Sequence, residues 1–166
     1  YSDDVTYLKN KELFLTKGKS KAINEGVIID GDNFRYNKFT NILNANGRVK
    51  IDNKDQNYLI YSDDVTYLKN KELFLTKGKS KAINEGIIID ADNFEYNKIS
   101  NIMNANGNVK VKDTLNDYLI LTNDATYYKN SEKIITNGDT DAFIETRYNI
   151  NSKDVTYLHN QKILIS

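Results

Sequence analysis

The twenty-six residues YSDDVTYLKNKELFLTKGKSKAINEG begin at Tyr1 and return unchanged at Tyr61. Residues 1–60 and 61–120 agree at 46 of 60 positions, and all fourteen differences fall between residues 27 and 57. Ordinary drift scatters substitutions, so this clustering points to duplication, recombination or deliberate grafting. A shorter period lies inside the long one. Tyr7, Tyr36, Tyr67, Tyr96, Tyr127 and Tyr157 follow at intervals of 29, 31, 29, 31 and 30 residues. Eleven positions after the first five stand Gly18, Gly47, Gly78, Gly107 and Gly138. Two positions before each Tyr comes Val5, Phe34, Val65, Phe94, Ala125 or Val155; seven after it comes Phe14, Leu43, Phe74, Met103, Ile134 or Leu164. A fixed period of this size marks a stacked architecture, because one such unit cannot bury its apolar face alone. The expectation is a single domain over 1–166 of about six units: the repeats 1–60 and 61–120, then a divergent 121–166.

Each unit reads as two strands. VIIDGDNFRYN and YLIYSDDVTYLKN are rich in aromatic and β-branched residues with partial alternation. Polar turns follow at 9–12, 37–40, 52–57 and 129–132, and no segment carries a capped helical period. The absence of Pro suits a chain of paired strands, since each Pro removes a ladder donor. About eleven strands of eleven to thirteen residues are expected, long against the usual five or six. Each carries a break near its middle, with Gly in TKGKS, ANGRV and ANGNV and Asp in DGDN, DADN and YSDDV. Gly inside a strand marks a bend or bulge. Breaks that recur in register line up into a crease, so the predicted shape is all-β: two antiparallel sheets hinged along one line, a folded V.

Alternation assigns the faces. Leu43, Ala45, Gly47, Val49 and Ile51 share one parity, as do Phe14, Thr16, Gly18, Ser20 and Ala22, and these are expected inside. Lys17, Lys19, Lys21, Arg48 and Lys50 fall outside. Before the crease the parity stays open, because VIID and YLIY are apolar on both faces.

Composition excludes several classes of function. Lys plus Arg and Asp plus Glu number 23 each, which argues against a nucleic-acid surface. No apolar run approaches the eighteen or so residues of a membrane-spanning helix. Beginning at Tyr1 with neither Met nor leader, the sequence reads as a mature or excised segment. There is no Cys, and the one His, His159, is expected near a turn at the surface; neither seeds a nucleophilic or zinc site. The recurring Asp3, Asp4, Asp30, Asp32, Asp63, Asp64, Asp90 and Asp92 match no calcium loop, and six near-equivalent copies do not make one glycosidase site. No metal, no cofactor and no enzymatic activity are expected.

The segment IIIDADNFEYNKISNIMNANGNVKV at 87–111 resembles the OstA-like repeat of the lipopolysaccharide-transport family. That family includes the LptA-type periplasmic bridge, LptC and the N-terminal periplasmic domain of LptD. The resembling residues are Asp90 and Asp92, Tyr96, and Gly107-Asn108-Val109; residues 27–51 follow the pattern with Gly47-Arg48-Val49. GKSKA at 18–22 and 78–82 and TDAFIE at 140–145 depart from it. The resemblance implies a β-jellyroll, or taco, of hinged sheets in the periplasm of a Gram-negative bacterium, serving outer-membrane biogenesis. It further implies that lipopolysaccharide acyl chains lie between the sheets and that domains associate end to end, with each other or with other OstA-like domains. The groove would then be lined by Val5, Tyr7, Phe14, Phe34, Tyr36, Leu43, Val65, Tyr67, Phe74, Phe94, Tyr96, Met103, Val109, Tyr127 and Ile134. Lipid there would gain about 25 cal/mol per Å² buried. The competing expectation is a structural or engineered β-repeat scaffold, its inner side chains packed as a sandwich core with no ligand path.

Overall fold

The computed structural model describes residues 1–145 and 147–166, and seventeen strands join in one antiparallel sheet. In chain order they are β1 (Asp4–Leu8), β2 (Leu13–Lys17), β3 (Ser20–Asn24), β4 (Val27–Gly31), β5 (Asn33–Asn37) and β6 (Ile42–Asn53). Then come β7 (Tyr58–Leu68), β8 (Leu73–Lys77), β9 (Ser80–Asn84), β10 (Ile87–Ala91), β11 (Asn93–Asn97) and β12 (Ile102–Asp113). The last are β13 (Tyr118–Tyr128), β14 (Lys133–Ile144), β15 (Tyr148–Ser152), β16 (Thr156–Leu158) and β17 (Ile163–Ile165). Five long strands, five pairs broken in the middle and two terminal pieces make twelve rungs, where the sequence suggested about eleven.

Each rung pairs with the next, and the crease divides the sheet into two arms. The first arm runs β1, β2, β5, residues 42–46 of β6 and 64–68 of β7, then β8 and β11. It continues through residues 102–106, 124–128 and 133–137 to β16 and β17. The second arm runs β3, β4, residues 49–53 and 58–62, β9, β10, residues 109–113, 118–122 and 140–144, and β15. First-arm strands β1 and β2, for example, are joined by a 3-10 turn that ends in left-handed Glu12; Glu72, Glu132 and Lys162 repeat that turn. Glu25-Gly26 and Glu85-Gly86 close two-residue hairpins with both φ positive, the geometry that matches strand twist.

The crease is built by an insertion on alternate rungs. Asn46 pairs with Asp64 and Val49 with Ser62, so Gly47 and Arg48 together stand opposite Asp63 alone. Both are left-handed, at φ 78° and 48°. An extra residue of this kind bends and twists a sheet locally. Gly107-Asn108 opposite Asn123 repeats it. Asp32 sits directly over Gly47: a Cβ there would fall 2.5 Å from Asp32 Oδ2, and the Asp32 N–H donates to Gly47 O at 3.1 Å. Asp92 covers Gly107 in the same way, with 2.4 Å to its Oδ2. Asp3, Asp32, Asp63 and Asp92 each lie fifteen residues before the Gly they cover, which accounts for four of the eight recurring acids.

The same insertion settles the face left open by the sequence. Rungs carrying the Gly-X pair keep their parity across the crease, as Ala45, Val49 and Ile51 do, all buried. Rungs without it flip: Val65 and Tyr67 are inside with Ser62, Ile60 and Tyr58, and Phe34 is inside with Ile29 and Val27. Departures at GKSKA also have a structural role. Ser80 Oγ lies 2.6 Å from Thr76 Oγ1, which accepts from the Phe94 N–H at 2.7 Å, while Ser62 Oγ donates to Lys77 O or Gly78 O, both at 3.1 Å. A buried line of hydroxyls thus satisfies backbone groups that the bend takes out of the ladder.

Candidate functional site

The inner face of the first arm is one cross-strand row. Register places Tyr7 opposite Phe14, Phe14 opposite Tyr36, Tyr36 opposite Leu43 and Leu43 opposite Tyr67. The row continues through Phe74, Tyr96, Met103, Tyr127, Ile134, Tyr157 and Leu164. The two sequence series, Tyr and the residue seven places on, alternate along this single line. Tyr67 and Phe74 stack with centroids 4.2 Å apart, Tyr7 and Phe14 with 4.4 Å.

Along this row the groove changes character. At the N-terminal end a cavity of about 260 Å³ opens between the arms. Phe14, Phe34, Tyr36, Leu43 and Tyr67 line it from the first arm, with Ala22, Val27 and Ile29 opposite. Val5 and Tyr7, on the edge strand β1, are 58% and 42% exposed. From Phe74 onward the arms meet. Phe74 and Ile134 are fully buried, Val65, Phe94, Tyr96, Met103, Val109 and Tyr127 nearly so, and the space between Tyr96, Met103, Tyr127 and Ile87 shrinks to about 20 Å³. The fifteen residues expected to line one groove therefore lie on one inner face, but only the early ones border open space.

The closure is made by tyrosine hydroxyls reaching across the mouth. Tyr96 Oη lies 3.0 Å from Gln56 Oε1 on the second arm and 2.9 Å from Asn101 Oδ1 on its own. Tyr127 donates to Asn84 Oδ1 at 3.0 Å, and Tyr157 to Asp113 Oδ2 at 2.5 Å. The earlier members do not cross: Tyr36 donates to Asn41 Oδ1 and Tyr67 to Glu72 Oε2 on their own arm. Burial raises the pKa of Tyr96, Tyr127 and Tyr157, so each stays a neutral donor. Tyr58, beside them, is pushed up to about 12 by burial.

His159 is not the surface residue expected from sequence. It is largely buried, with Nδ1 2.6 Å from Asp113 Oδ2, and Asn116 Nδ2 donates to the same oxygen at 2.8 Å. Burial alone would raise the Asp113 pKa, but the hydrogen bonds from Tyr157, Asn116 and His159 outweigh it and hold the carboxyl at about 2. These second-arm partners escaped sequence reasoning. A signal existed: Asn24, Asn53, Asn84 and Asp113 precede Tyr67, Tyr96, Tyr127 and Tyr157 by 43, 43, 43 and 44 residues. Among the described residues no group of three or more His, Cys, Asp or Glu is placed to hold a metal ion, and no helix is long and apolar enough to cross a membrane.

The fold and its slot define a class, the hinged β-jellyroll whose two arms face each other across an apolar trough. No protein-family model and no curated protein matches the chain. Among solved structures, the fold is similar to that of LptH, the LptA-homologous periplasmic component of the lipopolysaccharide transport device of Pseudomonas aeruginosa. The TM-score is 0.61 over 64% of this chain and 80% of that one, at 15% sequence identity. At that identity the likeness is one of fold.

Proposed function

We propose that the protein is a carrier in lipopolysaccharide transport, holding acyl chains in the groove between its arms, in the periplasm of a Gram-negative bacterium. The observation that carries this is the N-terminal cavity, apolar on both walls and continuous with the inner aromatic row. An alkyl chain buried there leaves water without facing unpaired backbone, since the sheet satisfies its own groups. The fold shared with LptH supports the same role. The protein acts by binding, not catalysis. Its neighbours in this role are further modules of the same fold, or copies of itself, joined end to end at the first and last rungs.

A second reading, a scaffold with no ligand path, is favoured by the closed half beyond Phe74. Photo-crosslinking separates the two. A probe at Phe14 should capture purified lipopolysaccharide, in competition with unlabelled lipid, while a probe at exposed Lys79 should not. Folded protein without a crosslink at Phe14 would leave the scaffold.

A further inference from the structure

The mouth of the groove holds the same residue types twice, sixty residues apart, in opposite states. Downstream, Asn84 Nδ2 donates to Asn57 O at 2.7 Å and Asn84 Oδ1 accepts from Tyr127. Lys129 Nζ donates to Gln56 O and stands 5.4 Å over the Tyr58 ring. Asn84, Tyr127 and Lys129 thus each find an acceptor, only the Tyr58 hydroxyl among these described residues goes without a partner, and the space beneath is about 20 Å³. Upstream, the equivalents are Asn24, Tyr67 and Lys69. Tyr67 donates to Glu72, Asn24 Nδ2 is shielded from solvent beside the Tyr67 hydroxyl without a well-aligned acceptor, and Lys69 Nζ makes no hydrogen bond or ion pair with any described residue. Both Asn24 and Lys69 border the cavity of about 260 Å³.

A shielded amide donor without a well-aligned acceptor is destabilising, and an ammonium beside it favours an acceptor that is charged. We infer that Lys69 and Asn24 form a head-group site for an anionic amphiphile. Its phosphate or carboxylate oxygens accept from Lys69 Nζ and Asn24 Nδ2, and its alkyl chain lies along Phe14, Phe34, Val27 and Ile29. The carboxylates of Glu25 and Glu72, both near the Tyr67 hydroxyl, limit the site to a single anionic group. This assignment rests on the acyl-chain reading of the cavity and adds the chemistry of the head.

Calorimetric titration with three twelve-carbon probes below their micelle concentrations tests it: dodecyl phosphate, dodecanoate and uncharged dodecyl maltoside. At least one anionic probe should bind about ten-fold more tightly than the maltoside. Lys69→Met should abolish that preference, Lys69→Arg should retain it, and exposed Lys71→Met should alter neither the preference nor maltoside binding. Displacement by purified lipopolysaccharide identifies a lipid phosphate as the head; binding of dodecanoate that lipopolysaccharide does not displace identifies a free fatty acid. Equal affinity for charged and uncharged probes, or a preference that survives Lys69→Met, overturns the head-group site and leaves the acyl groove standing. No binding of any probe to folded protein overturns both.

Discussion

Tyr157 and Asp113 meet across the mouth of the groove with 2.5 Å between the phenol and carboxylate oxygens, although 44 residues separate them in the chain. They tie the first arm to the second at the C-terminal end. His159 and Asn116 join the same carboxylate, so one ionised group anchors three donors taken from both arms.

Acid should release this tie. The Asp113 pKa is lowered to about 2 from an ordinary value near 4, so its contribution is fully present above pH about 4 and fades as pH falls to about 2. Urea unfolding followed by circular dichroism at pH 7, 4 and 2.5 should show that loss. Asp113→Asn should cost about 1–3 kcal/mol at pH 7 and lose less on acidification. An acid-induced loss as steep in Asp113→Asn as in the parent would remove Asp113 from this role.

The repeated segment supplies its own control for burial. Phe14 and Phe74 have the same neighbours in sequence, yet Phe74 is fully buried while Phe14 faces the cavity. Phe74→Ala should cost about 3–5 kcal/mol and Phe14→Ala clearly less. Equal losses in urea unfolding would show that the open end collapses in solution.

At the crease, Gly107→Ala forces a Cβ into Asp92 and into a positive φ at once, whereas Gly138→Ala meets only the φ, since nothing lies within 4 Å of its Cβ. Gly138→Ala should cost about 1 kcal/mol and Gly107→Ala at least 1 kcal/mol more. Asp92→Ala in the Gly107→Ala background should recover part of the difference, and thermal melts of the four variants measure it.

Tyr127→Phe removes the hydroxyl but keeps the ring, leaving Asn84 Oδ1 without its donor. A loss of about 1–2 kcal/mol is expected, with faster amide exchange at the second-arm tip near Asn84 than at the crease. Tyr36→Phe, whose hydroxyl never crosses the groove, should leave exchange at the second-arm tips unchanged.

The stack, the crease and the inner row of the first arm were all legible in the sequence, because a period of thirty displays them six times over. The second-arm face was legible on the rungs that carry a Gly-X pair, where Val49 and Ile51 were assigned inside, and not on the rungs that lack it. Ile28 and Ile29 are both apolar, and which one points inward depends on whether a Gly-X pair sits at the bend of that rung, a property of register and not of hydropathy. The partners of the tyrosines were hidden for another reason. Asn and Asp at strand ends ordinarily mean turns, and Asn53 and Asp113 do cap the turns that follow them through Gln56 N and Asn116 N. Their second duty, toward a tyrosine on the other arm or the residue beside it, appears only when the two arms are brought face to face.

Because the backbone ladder of each rung, among the described residues, pairs only with the rungs before and after it in the chain, no strand waits for a distant segment before it can pair. Folding can start at any hairpin and spread both ways, with each completed rung serving as template for the next. Loss of rungs from one end should shorten the molecule and leave the remainder in register. Stability should then fall in steps with length, as in a linear chain of coupled units.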